Sequence, residues 1–275
     1  MTSLLIYAIQ PSAWYTAVTG KSPDPWQVSA MDSPGKRQIL NCCRQSGKSE
    51  VMAVRLAHRA VFVPGSLCLA ISPTLRQSGE LFRRTMDLLK DEKCVEDTKT
   101  QISLPNKSRI VSLPGTEANV RGYAGVSLLC IDEAARIEAG LYEALSPMLA
   151  VSNGSLIMAS TPWGPSGIFY EIWMSEGPDW EKTIIVATDC PRITPEFLEQ
   201  ERERMGLFFE QEYFGRFLAS ENAVFSLIQI QRTLDDGVLP LFPDNTEIDI
   251  PQGVSLKGTE PPRKPRQFCI MGARW

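Results

Sequence analysis

Two short runs hold the side chains best suited to chemistry. Residues 39–60, ILNCCRQSGKSEVMAVRLAHRA, contain Gly47-Lys48-Ser49, and residues 128–134, LLCIDEA, contain Asp132-Glu133. An apolar run that ends in Gly-Lys-Ser and continues into a helical pattern is how a phosphate-binding loop ends. In such a loop the N–H groups at the helix start face the phosphates. Lys48 would reach the β- and γ-phosphates, and Ser49 would hold Mg²⁺. The usual spacing, G-x-x-x-x-G-K-[ST], fails at its first position, where Cys42 stands. The tripeptide alone is therefore a weak signal, and it competes with a plain, solvated helix start capped by Ser46.

The acidic pair decides between the two. A buried strand ending in Asp-Glu is costly unless the acids have work to do. Asp132 would hold Mg²⁺, directly or through water, and Glu133 would polarise the water that attacks a phosphoryl group. An acidic helix cap would account for one acid only. A third element, MASTPWG, ends an apolar run in Ser160-Thr161. Hydroxyls placed there, beside the strand carrying Glu133, can sense the γ-phosphate and pass its loss to another segment.

These residues need a frame that brings loop and acids together. RQILNCC, SLCLAISP, VSLLCIDEAARI, GSLIMASTPWGPSG and WEKTIIVATDC each contain a short apolar run that reads as a strand. Helical spacing separates them: Val51, Val54, Leu56, Ala57 and Ala60 in one helix, and Leu81, Met86, Leu88 and Leu89 in the next. QISLPNKSRIVSLPG reads as two short antiparallel strands and LYEALSPMLAV as a helix. Alternation of near-continuous apolar strands with helices predicts an α/β fold with a mainly parallel sheet flanked by helices. Residues 1–22 form an amphipathic lead-in, and the prolines of SPDPWQVSAM are expected to stop regular structure. The expected division is a phosphate-loop NTPase core over 1–190, a helical lid or linker over 191–234, and a polar, proline-rich tail over 235–275.

Composition excludes several other classes. The chain has 275 residues, 43% hydrophobic and 22% charged, with a net charge of −4. A permanently basic nucleic-acid coat does not fit that charge, although a local basic patch does. Seven cysteines at irregular spacing make a poor disulfide framework, and Cys42, Cys43, Cys68 and Cys130 read as small core residues. The single histidine, His58, leaves no Ser-His-Asp triad or His-rich metal site to build. No apolar run approaches the roughly 18 residues a membrane span needs, and a cytoplasmic location follows as the expectation.

With CRQSGKS, LLCIDEAARI, ASTPWGPSGIFYEIW, FLEQERERMGLFFEQEYFGRFLASENAVF and the upstream DPWQ in view, the chain resembles the large terminase subunit of tailed bacteriophages over about residues 20–230. That subunit is the ATPase of the DNA-packaging motor. The resemblance implies a P-loop NTPase that uses ATP and Mg²⁺. Its implied partners are double-stranded DNA, the portal protein and the small terminase subunit, with a homo-oligomeric ring on the capsid. It implies that Arg44, Gln45, Ser46, Gly47, Lys48 and Ser49 form the nucleotide loop and that Gln27 reads the adenine edge. Arg44 would contact the γ-phosphate or act as a sensor. Arg121, in NVRGYAG, would be an arginine finger given to a neighbouring subunit, and Ser160 and Thr161 would match the coupling motif. Glu212 and Tyr213 fall in the segment after the core, with a structural role.

Relatives of this kind continue into a metal nuclease whose first strand ends in an Asp. Here RQFCIMGARW resembles the start of that strand, with Arg274 where the Asp is expected. Asp235, Asp236, Asp244, Glu247 and Asp249 lie in a polar stretch without metal-ligand spacing, so nuclease activity is expected to be absent. Two alternatives fit part of the pattern: another P-loop translocase such as a helicase, and a truncated prophage relic that binds nucleotide without packaging.

Overall fold

The computed structural model describes residues 2–116, 120, 122–177 and 179–218. Three helices come first: α1 (Thr2–Ile9), α2 (Pro11–Thr19) and α3 (Pro25–Asp32). Then follow β1 (Arg37–Cys42), α4 (Lys48–Phe62), β2 (Leu67–Ser72), α5 (Leu75–Leu88), β3 (Glu96–Asp97), β4 (Gln101–Ser103), β5 (Arg109–Pro114) and β6 (Leu128–Asp132). The last elements are α6 (Ala139–Leu145), β7 (Ser155–Ser160), α7 (Ile168–Met174), β8 (Glu181–Ile185), α8 (Pro195–Met205) and α9 (Phe208–Phe214).

The strands form one sheet in the order β3-β4-β5-β2-β6-β7-β1-β8. From β5 to β8 every pairing is parallel, and β4 and β3 extend the edge in antiparallel fashion. The mainly parallel α/β sheet and the helical region after it are as the sequence predicts. Side chains alternate across the sheet, as a pleated strand requires. Leu40, Cys68, Ala70, Cys130, Ile157 and Ala159 face the core shared with α2, α3, α4 and α5. Ile39, Leu69, Ile71, Leu129, Ile131 and Met158 face the core shared with α6 and α7. Both faces are covered, which is why the strands read as continuous apolar runs. Cys42, Cys43, Cys68 and Cys130 are buried as expected.

One expectation is corrected. SPDPWQVSAM does not stop regular structure: Pro25 opens α3 at its first position. There a missing N–H costs nothing and the fixed φ suits a helix. Asp24 is its N-cap, and the Asp24 N–H donates to Gln27 Oε1 at 2.9 Å. The far end of α3 is held by Arg55 of α4, buried, which donates to the carbonyls of Met31 (2.6 Å) and Ser33 (2.8 Å).

Arg121 and residues 219–275, including Arg274 and the acids after 235, lie outside the described residues.

Candidate nucleotide site

β1 ends at Cys42, and the chain turns back into α4 through residues 43–47. Two bonds fix the start of this loop: Cys43 N–H to the Ile185 carbonyl (2.8 Å) and Arg44 N–H to the Glu212 carbonyl (2.9 Å). Gln45 (φ 56°) and Gly47 (φ 98°) take left-handed backbone conformations. Gly47 is the N-cap of α4 and no side chain caps the helix. Ser46 is therefore not the cap; its hydroxyl oxygen is buried without a hydrogen-bond partner. A 15-residue helix thus opens with uncapped N–H groups beside the loop, the arrangement that receives an anion.

The acids come from β6. β7 lies between β6 and β1, pairing Asp132 with Ala159 and Ser160 with Asn41, so the three strand ends are level. Ser49 Oγ donates to Asp132 Oδ2 at 2.8 Å. Lys48 Nζ is 2.8 Å from Glu133 Oε1. Loop and acids, read from separate stretches of sequence, meet side chain to side chain. Burial works against the Lys48 ammonium, but the Glu133 and Asp132 carboxylates outweigh it and raise its pKa above the ordinary lysine value. Burial pushes the Asp132 carboxyl up from its ordinary value, against the pull of Lys48. Glu133 sits at φ 52°, a conformation rare for a side-chain-bearing residue. Strain of this kind concentrates at functional sites.

Ser49 and Asp132 offer one hydroxyl and one carboxylate side by side. Hard oxygen donors in that small number suit Mg²⁺, which keeps most of its waters and takes phosphate oxygens for the rest. The donor set fits the metal.

Two of the clefts around the loop hold further candidate residues. One, of about 450 Å³, is lined by Lys48, Ser49, Gln27, Tyr15 and Arg192 among others. The second, of about 360 Å³, is lined by Arg44, Lys48, Glu133, Arg136 and Thr161 among others. Gln27 lies at the first cleft with its amide engaged: Nε2 is 3.4 Å from the Gly47 carbonyl, and Oε1 takes the Asp24 N–H. Arg44 is at the second cleft but half-exposed, its Nε 2.8 Å from Glu212 Oε2 on α9. Thr161 lines that cleft, whereas Ser160 is buried and donates its hydroxyl to the Thr161 carbonyl (2.7 Å).

Two arginines escaped the sequence reading. Arg136 lies over the Trp163 ring at 4.0 Å from its centroid, with Nε 3.9 Å from Glu133 Oε2. Arg192, after β8, binds Asp24 and the Ser46 carbonyl. Arg136 sits in LLCIDEAARI, where its spacing three residues after Glu133 was available as a signal; nothing in the spacing marks Arg192. Among the described residues no group of three or more His, Cys, Asp or Glu could hold a metal, and no helix is long and apolar enough to cross a membrane.

Comparison with known proteins finds terminase large subunits. The terminase large subunit of Thermus phage G20c is 28% identical over 260 residues, covering 79% of this chain and 53% of the relative. The chain thus spans about half the length of the curated relatives it matches. The ATPase domain of the Thermus phage P74-26 large terminase superposes with a TM-score of 0.66 at 25% identity, over 76% of this chain and 99% of that domain. The large terminase of a thermophilic bacteriophage in complex with ADP shares the fold at a TM-score of 0.61 and 13% identity, over 70% of this chain and 53% of that one. The family described as terminase large subunit, T4likevirus-type, N-terminal, matches residues 39–232. That match covers well over half of the sequence, and the chain belongs to the T4-like-virus-type terminase large subunit family through its N-terminal, ATPase-type domain.

Proposed function

We propose that this chain is a P-loop ATPase that drives double-stranded viral DNA into a procapsid. The observation that carries the reading is the joint contact of Lys48 with Glu133 and of Ser49 with Asp132. The two halves of a phosphoryl-transfer site meet there. In this reading the α4 N–H groups and Lys48 bind the phosphates of ATP. Ser49 and Asp132 would hold Mg²⁺, which would supply positive charge against the transferred phosphoryl group. Glu133 orients the attacking water and accepts its proton. Gln27, on the larger cleft, reads the adenine edge once its amide is released from Gly47. Arg44 senses the γ-phosphate and Arg121 serves a neighbouring subunit as a finger. Thr161, with Ser160 behind it, reports loss of the γ-phosphate to the segment that follows β7.

The division into a core (1–190), a helical linker (191–234) and a tail (235–275) belongs to the same reading. So do the portal and small-subunit partners, the ring on the capsid and the host cytoplasm as its place of work. Phosphate release from ATP with Mg²⁺ tests the chemistry. Purified protein should turn over, and Lys48→Ala should lose activity by on the order of 10²-fold or more through the missing phosphate contact. Turnover should rise when double-stranded DNA and an empty capsid shell are added. A rate no higher than that of Lys48→Ala would end the ATPase reading.

A further inference from the structure

We propose that Arg192 is a positioning residue for the bound nucleotide: it ties the phosphate loop to the helix that carries Gln27 and so sets how tightly a nucleoside diphosphate is held. This rests on the nucleotide-site reading above.

The Arg192 guanidinium makes three contacts at once. Nη1 donates to Asp24 Oδ1 at 2.9 Å, Nη2 lies 2.8 Å from Asp24 Oδ2, and Nη2 donates to the Ser46 carbonyl at 2.8 Å. Asp24 caps α3 and gives its N–H to Gln27, so a single cation spans the base-side helix and the loop. Gly47 shows how closely the parts approach. A Cβ there would lie 2.5 Å from Gln27 Nε2 and 3.5 Å from Arg192 Nη2. Helix α3 is thereby held at both ends, by Arg55 and by Arg192, but the two arginines differ in accessibility. Arg55 is buried within the fold, whereas the Arg192 side chain is 53% exposed and lines the larger cleft with Lys48. Arg192 also stands at the head of the segment leading into α8, so the state of the loop and the seat of that segment share one side chain.

A loop held in its binding shape before the ligand arrives costs less ordering on binding. Three contacts from one planar fork are within the reach of arginine and beyond that of lysine. The loop should then be looser without Arg192, and the loss should appear in nucleotide affinity.

The test is equilibrium binding of a fluorescent ADP analogue with Mg²⁺ to the full chain. Arg192→Ala should weaken binding by about tenfold, the loss expected for charge-assisted hydrogen bonds. Arg192→Lys should recover little of it. Asp24→Asn keeps a good helix cap and should weaken binding by a similar factor, and it carries the test if Arg192→Ala does not fold. The double variant should bind about as well as the weaker single one, because both changes break one unit. The rate at saturating ATP should change less than KM. Unchanged affinity in Arg192→Ala, full recovery in Arg192→Lys, or additive losses in the double variant would each overturn the positioning role. If the unsubstituted protein binds no analogue, the nucleotide-site reading fails and the proposal fails with it.

Discussion

Glu133→Gln should abolish turnover and at the same time tighten nucleotide binding. The substitution keeps the shape of the side chain and removes its charge. In this structure that charge holds Lys48, at 2.8 Å. Before Lys48 can engage phosphate it must give up or share this partner, and the carboxylate is then left beside an incoming polyanion. The Lys48 and Glu133 side chains are 12% and 21% exposed, so the pair is neither at the surface nor fully enclosed. Exposed pairs contribute about 0–1 kcal/mol, and breaking a buried one costs about 3–5 kcal/mol. A value of about 1–2 kcal/mol lies between these limits, and every 1.4 kcal/mol is tenfold in affinity. The dissociation constant for a non-hydrolysable ATP analogue should therefore fall by about 5–30-fold in Glu133→Gln. The same energy should be missing from the free protein, whose melting temperature should drop by about 2–8 °C for a domain of this size. Titration calorimetry and a thermal melt read the two numbers independently. Weaker analogue binding in Glu133→Gln would refute the argument that the ion pair opposes binding. Undiminished hydrolysis would remove Glu133 from the chemistry altogether.

Two further outcomes are expected. His58 packs between Trp14 and Phe62 with Nε2 2.8 Å from the Tyr7 carbonyl, and burial lowers its pKa. Below an unfolded pKa of about 6.5 the unfolded chain takes up a proton that the folded chain refuses, so stability is full above that pH and declines as pH falls through it, by at most about 1.4 kcal/mol per pH unit; melting curves should show this decline, and His58→Gln should remove it. If Arg121 is a finger given in trans, Arg121→Ala and Glu133→Gln proteins should each be nearly inactive on a capsid platform yet regain part of the ATPase rate when mixed, since a finger contributes on the order of 10³-fold or more; full activity of Arg121→Ala alone on that platform would shift the role to Arg44.

What the sequence revealed and what it hid divide along the distance between interacting residues. The central strands were legible because each is buried on both faces, so Ile39 and Leu40 or Leu69 and Ala70 announce it without knowledge of any neighbour. The loop and the acids were legible because each is a local pattern: a strand, a turn with Gly47, a helix; a strand, then Asp132-Glu133. One misreading came from a residue type with a double meaning: Pro25 breaks a helix in its interior but starts one at its first position. The competing reading of Ser46 as a helix cap falls away, because Gly47 is the cap. The order of the strands had no local signature, yet β7 lying between β1 and β6 is what levels Ser160 with Asn41 and Asp132 with Ala159. Least legible were the side chains that aim the others. Arg192 meets Asp24 across 168 positions, and Arg136 meets Trp163 by stacking rather than by pattern. Such residues are the types that also cover ordinary surfaces, and only the fold distinguishes a solvated arginine from one with three fixed contacts. The chemistry of this site is therefore written in contiguous motifs, while its orientation depends on pairs that the sheet and helices bring together. A loop that lacks the usual first glycine can keep its shape by this means: Cys43 is bonded to Ile185 at the end of β8, and Arg44 and Ser46 are bonded to Glu212 and Arg192 beyond it. The contacts that hold the loop come from the far end of the domain, which makes the segment after β8 a support of the loop rather than a bystander to it.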